Sequence, residues 1–147
     1  MLLLAPQSAG STWDVIERGF GPDARRLDQT LAGVFATCPV DAGRVAFAGF
    51  SDGASYALSL GLDNGELAQQ VIAFAPGFIA AAAPAGRPRV FVAHGIHDAV
   101  LPIDRTSRQL VPELRQRGYD VAYEEFEGGH EVPPALAAAA LDRLTAA

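Results

Sequence analysis

Gly49-Phe50-Ser51-Asp52-Gly53 has the spacing G-x-S-x-G and stands where a short apolar run meets a helical one. Val45–Ala48 suits a buried parallel strand, and Ala54–Leu60 suits a helix that stops at Gly61. A serine at such a junction is held in a strained backbone shape with its hydroxyl turned outward. The flanking glycines leave room for the helix start. The first N–H groups of that helix then face whatever the serine attacks. A serine hydroxyl is a poor nucleophile until a base removes its proton, so the chemistry needs partners.

Two partners follow in the chain. Asp98 ends His94-Gly95-Ile96-His97-Asp98, and His130 ends Gly128-Gly129-His130. Each comes after its own apolar run, Val90–Ala93 and Val121–Phe126. Parallel α/β sheets carry their sites at the carboxyl ends of strands. An imidazole titrates at about 6.5, so it can take the serine proton at neutral pH. A carboxylate behind it fixes the tautomer and stabilises the charge that forms. Ser51, Asp98 and His130 in this order point to acyl transfer through an acyl-enzyme, with no cofactor. The backbone N–H of Asp52 is the oxyanion donor expected just after the nucleophile.

Other residues invite other readings. The three histidines with Asp98 could suggest a metal cluster. However, His94 closes a strand before Gly95 and reads as a satisfied structural histidine, so no metal is expected. Asp104, after Pro102-Ile103, reads as a helix N-cap rather than a rival acid. Trp13 and Phe78 each follow a strand end and are candidates for an acyl pocket. Phe50 and Tyr56 could join them, or could simply pack.

The elements that must position these residues alternate in type. Leu2–Ala5 reads as a first strand ended by Pro6. A helix from Pro22 to Cys38 carries Leu27, Leu31, Val34, Phe35 and Cys38 on one face. The nucleophile strand and its helix follow, then strands at Val71–Phe74 and Val90–Ala93. A helix from about Asp104 to Arg117 contains Pro112, which predicts a break near Gln109. Strand Val121–Phe126 and an alanine-rich helix Pro134–Leu144 close the chain, and Ala80–Gly86 reads as a surface loop or short helix. Alternating β and α at this spacing means a parallel sheet, here of about five strands. The whole chain, 1–147, reads as one domain of three layers.

Composition narrows the partners. The chain is half apolar, carries a net charge of −6 and has one cysteine, Cys38. With no basic cluster, nucleic acid and anionic membranes are poor partners. A lone cysteine excludes an internal disulfide framework. Met1–Ala5 is too short and lacks the positive start of a signal peptide, and no run is long enough to span a membrane. A cytoplasmic protein is expected.

The chain resembles the α/β-hydrolases of the carboxylesterase, phospholipase and polyester-depolymerase type. Gly49-Phe50-Ser51-Asp52-Gly53, His94-Gly95-x-x-Asp98 with Val100 and Pro102 behind it, and Gly129-His130 carry the resemblance. It implies a serine esterase acting on a small-molecule ester. A lactonase or dienelactone-type hydrolase is a further reading, although the latter usually carries cysteine where Ser51 stands. The resemblance also implies about three strands before the one at Leu2, one of them followed by a His-Gly loop with an oxyanion donor. The chain therefore reads as a truncated, minimal form of the fold. The expected repair is that Leu2–Ala5 pairs directly with Val45–Gly49, so that a backbone N–H of Gln7 or Ser8 completes the oxyanion hole. The alternatives are a fragment completed from elsewhere, strands supplied by a second copy, or a weak or inactive remnant that serves as a binding module. With successive right-handed crossovers on one sheet face, the other face is left to the terminal helix, which predicts a homodimer.

Overall fold

The computed structural model describes residues 1–17 and 19–145. The chain divides into two compact units, Met1–Asp41 and Ala42–Ala147.

The first unit holds a short helix α1 (Asp14–Glu17) and a longer α2 (Pro22–Thr37). Pro22 opens α2, where its missing N–H costs no helical bond. Two aspartates bind the approach to it. Asp14 Oδ2 accepts the N–H groups of Gly21 (2.9 Å) and Asp23 (2.8 Å). Asp23, itself buried, accepts the N–H groups of Ala9 (2.7 Å) and Asp14 (3.0 Å). Leu27, Leu31, Val34 and Cys38 are half-buried along one face of α2, whereas Phe35 is exposed. Leu2–Ala5 forms no strand, and Leu2, Leu3 and Leu4 are exposed. Four apolar residues alone do not make a strand, because an isolated strand has no ladder to satisfy its backbone.

The second unit is a parallel sheet of β1 (Val45–Phe50), β2 (Ala68–Phe74), β3 (Arg89–Gly95) and β4 (Val121–Phe126), in that order. Among the described residues there are thus four strands where about five were expected, the shortfall being Leu2–Ala5. Helices α3 (Asp52–Asp63) and α4 (Ser107–Gln116) lie on one face, and α5 (Pro134–Thr145) lies on the other. Alternate strand residues divide between two cores. Val71, Ala73, Val90 and Val92 meet Leu58, Leu62, Val111 and Leu114, while Ile72, Phe74, Phe91 and Ala93 meet Ala140. Burial on both faces explains why β2 and β3 are continuous apolar runs. The helices fall as the right-handed crossover rule requires.

Three local expectations change. Gly61 does not end its helix; α3 runs on to Asp63, capped by Asn64. A Cβ at Gly61 would strike Val71 Cγ2, so this glycine lets α3 lie close on β2. Asp104 is not an N-cap. It sits in a single 3₁₀ turn, Ile103–Arg105, and pairs with Arg108 at 2.7 Å. Helix α4 starts later, at Ser107, and runs unbroken through Gln109 with Pro112 inside. The late start places Pro112 in the second turn, so the one carbonyl that loses its donor belongs to Arg108, which is exposed.

No helix links β2 to β3. Instead the loop after β2 runs along α3, where Ser55, Ser59 and Asp63 form a polar stripe four residues apart. Ser55 Oγ accepts from Gly77 (2.9 Å) and Phe78 (3.3 Å), and Ser59 Oγ accepts from Ala80 (2.8 Å). The Asp63 carboxylate accepts from Ala82 (3.0 Å) and Ala83 (2.8 Å). Side chains thus satisfy backbone donors that a crossover helix would have satisfied itself. Ala80–Gly86 is irregular and largely exposed, as expected of a surface loop.

Candidate active site

The carboxyl ends of β1, β3 and β4 lie nearly level, with Phe50 opposite Phe74, Phe74 opposite Ala93 and Gly95 opposite Phe126. The residues that follow these ends are therefore brought together from distant parts of the sequence.

Ser51 leaves β1 with φ 58° and ψ −121° and is the residue before α3. A non-glycine residue adopts this shape only under constraint. The constraint is visible on both sides. Ser51 N–H donates to Phe74 O at 2.9 Å, and Ser51 O accepts the N–H groups of Ala54 and Ser55, each at 3.1 Å. A Cβ on Gly49 would overlap the backbone of Gly53, so only glycine permits the strand and helix to come this close. Asp52 opens α3, and the first N–H groups of a helix point out of its N-terminal end.

His130 Nε2 lies 2.8 Å from Ser51 Oγ, and His130 Nδ1 lies 2.7 Å from Asp98 Oδ2. The carboxylate accepts only, so Nδ1 carries the proton and Nε2 is left to accept from the serine hydroxyl. Phe50 packs on the imidazole with ring centroids 4.6 Å apart. The His130 side chain is 17% exposed, and the Asp98 side chain is fully buried.

Asp98 is hydrogen-bonded on both oxygens. Oδ1 accepts from Val100 N–H (2.9 Å) and Leu101 N–H (2.8 Å). Oδ2 faces His130 and, at 3.1 Å, His94 Nε2. Burial by itself would raise the Asp98 carboxyl. The bonds from His130, Leu101 and Val100 outweigh it and hold the group below its ordinary value. The carboxyl therefore stays ionised.

The loops that carry acid and base are joined backbone to backbone. Ile96 N–H donates to Phe126 O, and His97 N–H to Gly128 O, each at 3.0 Å. A Cβ on Gly95 would overlap the carbonyl oxygens of Gly128 and Gly129, so glycine at this position makes the contact possible.

The remaining histidines divide among separate tasks. His97 is exposed and meets Glu127 at 3.0 Å. His94 is fully buried, with every ring nitrogen partnered, as a structural histidine should be. Among the described residues no cluster of three or more His, Cys, Asp or Glu side chains could hold a metal ion. No helix among them is long and apolar enough to cross a membrane. Phe78 is half-buried in the loop pinned by Ser55. Gln7, Ser8 and Trp13 belong to the first unit, where Ser8 Oγ donates to Gly10 O at 3.0 Å. The Ser55–Ser59–Asp63 stripe and the Ser107–His94 pair were not foreseen. The stripe was readable as polar residues at helical spacing on an otherwise apolar helix.

No protein-family model matches the chain, and no curated protein matches it by sequence. Solved structures do. The esterase PE8 is 31% identical, with a TM-score of 0.71, over 80% of this chain and 58% of that one. The Bacillus cereus carboxylesterase is 18% identical, with a TM-score of 0.69, over 84% and 59%. Arabidopsis thaliana SOBER1 is 15% identical, with a TM-score of 0.67, over 82% and 60%. The chain spans about three fifths of the length of these three structures. Over that span it has the α/β-hydrolase fold, in the form found in esterases.

Proposed function

We propose that the chain is a serine carboxylesterase that cleaves small acyl esters. The observation that carries the reading is the hydrogen-bonded line from Ser51 Oγ through His130 to the buried Asp98. In this reading His130 Nε2 takes the Ser51 proton as Oγ attacks the ester carbonyl. Asp98 holds the imidazole and stabilises its charge. The Asp52 N–H donates to the oxyanion at the head of α3. His130 then protonates the departing alcohol, and water repeats the sequence on the acyl-enzyme. An ester is preferred to an amide because the structure with 31% identity is an esterase.

A second oxyanion donor was expected from a backbone N–H of Gln7 or Ser8, on condition that Leu2–Ala5 pairs with Val45–Gly49. Leu2–Ala5 forms no strand, so that condition is not met. Phe78 is assigned to the acyl pocket. A homodimer and a cytoplasmic location complete the proposal. Within the described sheet β1 is an edge strand with an exposed Phe50, which a second copy would cover, and Cys38 is a free thiol. Light scattering at low micromolar concentration tests the dimer, and a stable monomer argues against it.

The rival reading is a weak or inactive hydrolase that serves as a binding module. The missing strand at Leu2–Ala5 favours it, because no ladder anchors the second donor. A fluorophosphonate probe separates the two. Labelling of the wild type, but not of Ser51→Ala, supports the esterase; no labelling of either supports the binding module.

A further inference from the structure

His94 closes β3 with its side chain wholly removed from solvent, and its ring nitrogens are engaged by Ser107, Leu101 and Asp98. Its two ring nitrogens face different chemistry. Nε2 lies 2.9 Å from Leu101 O and 3.1 Å from Asp98 Oδ2. A carbonyl and a carboxylate both accept only, so Nε2 must carry the proton. Nδ1 lies 2.6 Å from Ser107 Oγ, a hydroxyl that is itself fully buried at the first residue of α4. With the ring proton on Nε2, Nδ1 accepts and Ser107 donates.

The partners of His94 therefore fix the tautomer of the neutral ring. Burial lowers its tendency to protonate, against the pull of Leu101 and Asp98, so the ring stays neutral. The titratable groups facing it are Asp98 and His130 from the loops and Glu125 from β4.

We propose that His94 is a positioning residue for the acid of the site: its Nε2–H, aimed by Ser107, locks the Asp98 carboxylate and shares its charge with His130. The proposal rests on reading Ser51, His130 and Asp98 as a hydrolytic site. The physical case is a count of donors. Two backbone N–H groups hold Oδ1, so the carboxylate plane is set on that side. Oδ2 receives His130 Nδ1–H and one branch of the His94 donor. Leu101 contributes its N–H to Asp98 and its C=O to His94, which closes a ring of hydrogen bonds around the acid. Without His94, Oδ2 has a single donor. The carboxylate is then freer to turn away from the imidazole, and its full charge falls on His130.

Two effects follow, with different signatures. Looser positioning lowers kcat by about 10- to 100-fold and leaves KM unchanged, because the loss is felt as charge develops on the imidazole. A carboxylate relieved of one donor attracts the imidazole proton more strongly. The acid limb of the kcat/KM profile then moves to higher pH.

The test uses the full chain with a p-nitrophenyl ester, and with fluorophosphonate labelling of Ser51. His94→Leu removes the donor, His94→Gln returns an N–H near the place of Nε2, and Ser107→Ala removes the group that aims the ring. The expected result is a lower kcat at constant KM and a raised acid limb in His94→Leu. Gln should restore most of both, and Ser107→Ala should give a smaller shift in the same direction. Should His94→Leu not fold, Ser107→Ala and His94→Gln decide the matter alone. An unmoved acid limb in Ser107→Ala, or a loss of rate that merely tracks the folded fraction, overturns the positioning role. A wild type that neither labels nor turns over ester removes the hydrolytic reading, and this role with it. A wild type that labels while His94→Leu keeps its rate and profile overturns the role alone.

Discussion

Gly95 and Gly129 lie so close that a Cβ on Gly95 would occupy the place of the Gly129 carbonyl oxygen, with Gly128 O equally in the way. This contact sets the loop that carries Asp98 against the loop that carries His130, over 30 residues away in the sequence. Gly95→Ala should push the two loops apart. Overpacking of this kind costs about 1–3 kcal/mol. The rate should fall further than stability does, by about 10²-fold, because the imidazole is displaced from its acid. Thermal unfolding and ester kinetics on one preparation check this; a variant with normal turnover would show that the contact does not set the geometry.

The three residues of the hydrogen-bonded line should act as a unit. Ser51→Ala and His130→Ala should each remove turnover, and Asp98→Asn should lower kcat by about 10⁴-fold, since the amide cannot hold the same tautomer. Asp104→Asn should change kcat less than twofold, as Asp104 is exposed and engaged with Arg108. If Asp104→Asn proves as damaging as Asp98→Asn, the acid has been misassigned.

Stability should fall as the medium becomes acid, in two stages. His94 is held below its ordinary value in the fold, so the unfolded chain takes up a proton first. Its contribution is full above about 6.5 and is lost as pH falls toward the lowered native value. Asp98 is also held low, so its contribution is full above about 3.9 and is lost as pH falls through the native value. Urea unfolding from pH 8 to pH 4 should show a declining free energy below pH 6.5 that is shallower in His94→Gln. Equal slopes in the two proteins would contradict this.

Ser55→Ala should loosen the loop that carries Phe78. The hydroxyl accepts two backbone N–H groups and is itself 1% exposed, so its loss leaves both donors unsatisfied. The expected cost is about 1–3 kcal/mol. If Phe78 lines the acyl pocket, KM should rise more for long acyl chains than for short ones, while Ser51 labelling persists. A uniform effect across chain lengths would separate the loop from the pocket.

Local sequence determined each element that carries a reactive group. G-x-S-x-G between an apolar run and a helical one dictates the turn at Ser51, because the constraint lies within five residues. Strands before Asp98 and His130 were legible for the same reason, as were the parallel sheet and the sides on which α3, α4 and α5 lie. The sequence did not reveal which apolar run would fail. Leu2–Ala5 has strand composition, but a strand exists only when a neighbour completes its hydrogen bonds, and that is a tertiary condition. Gly61 and Asp104 carried the usual residue types for caps, yet packing against Val71 and pairing with Arg108 took precedence. The links among His94, Ser107 and Asp98 are set by distances across three segments, and only the folded chain decides those distances.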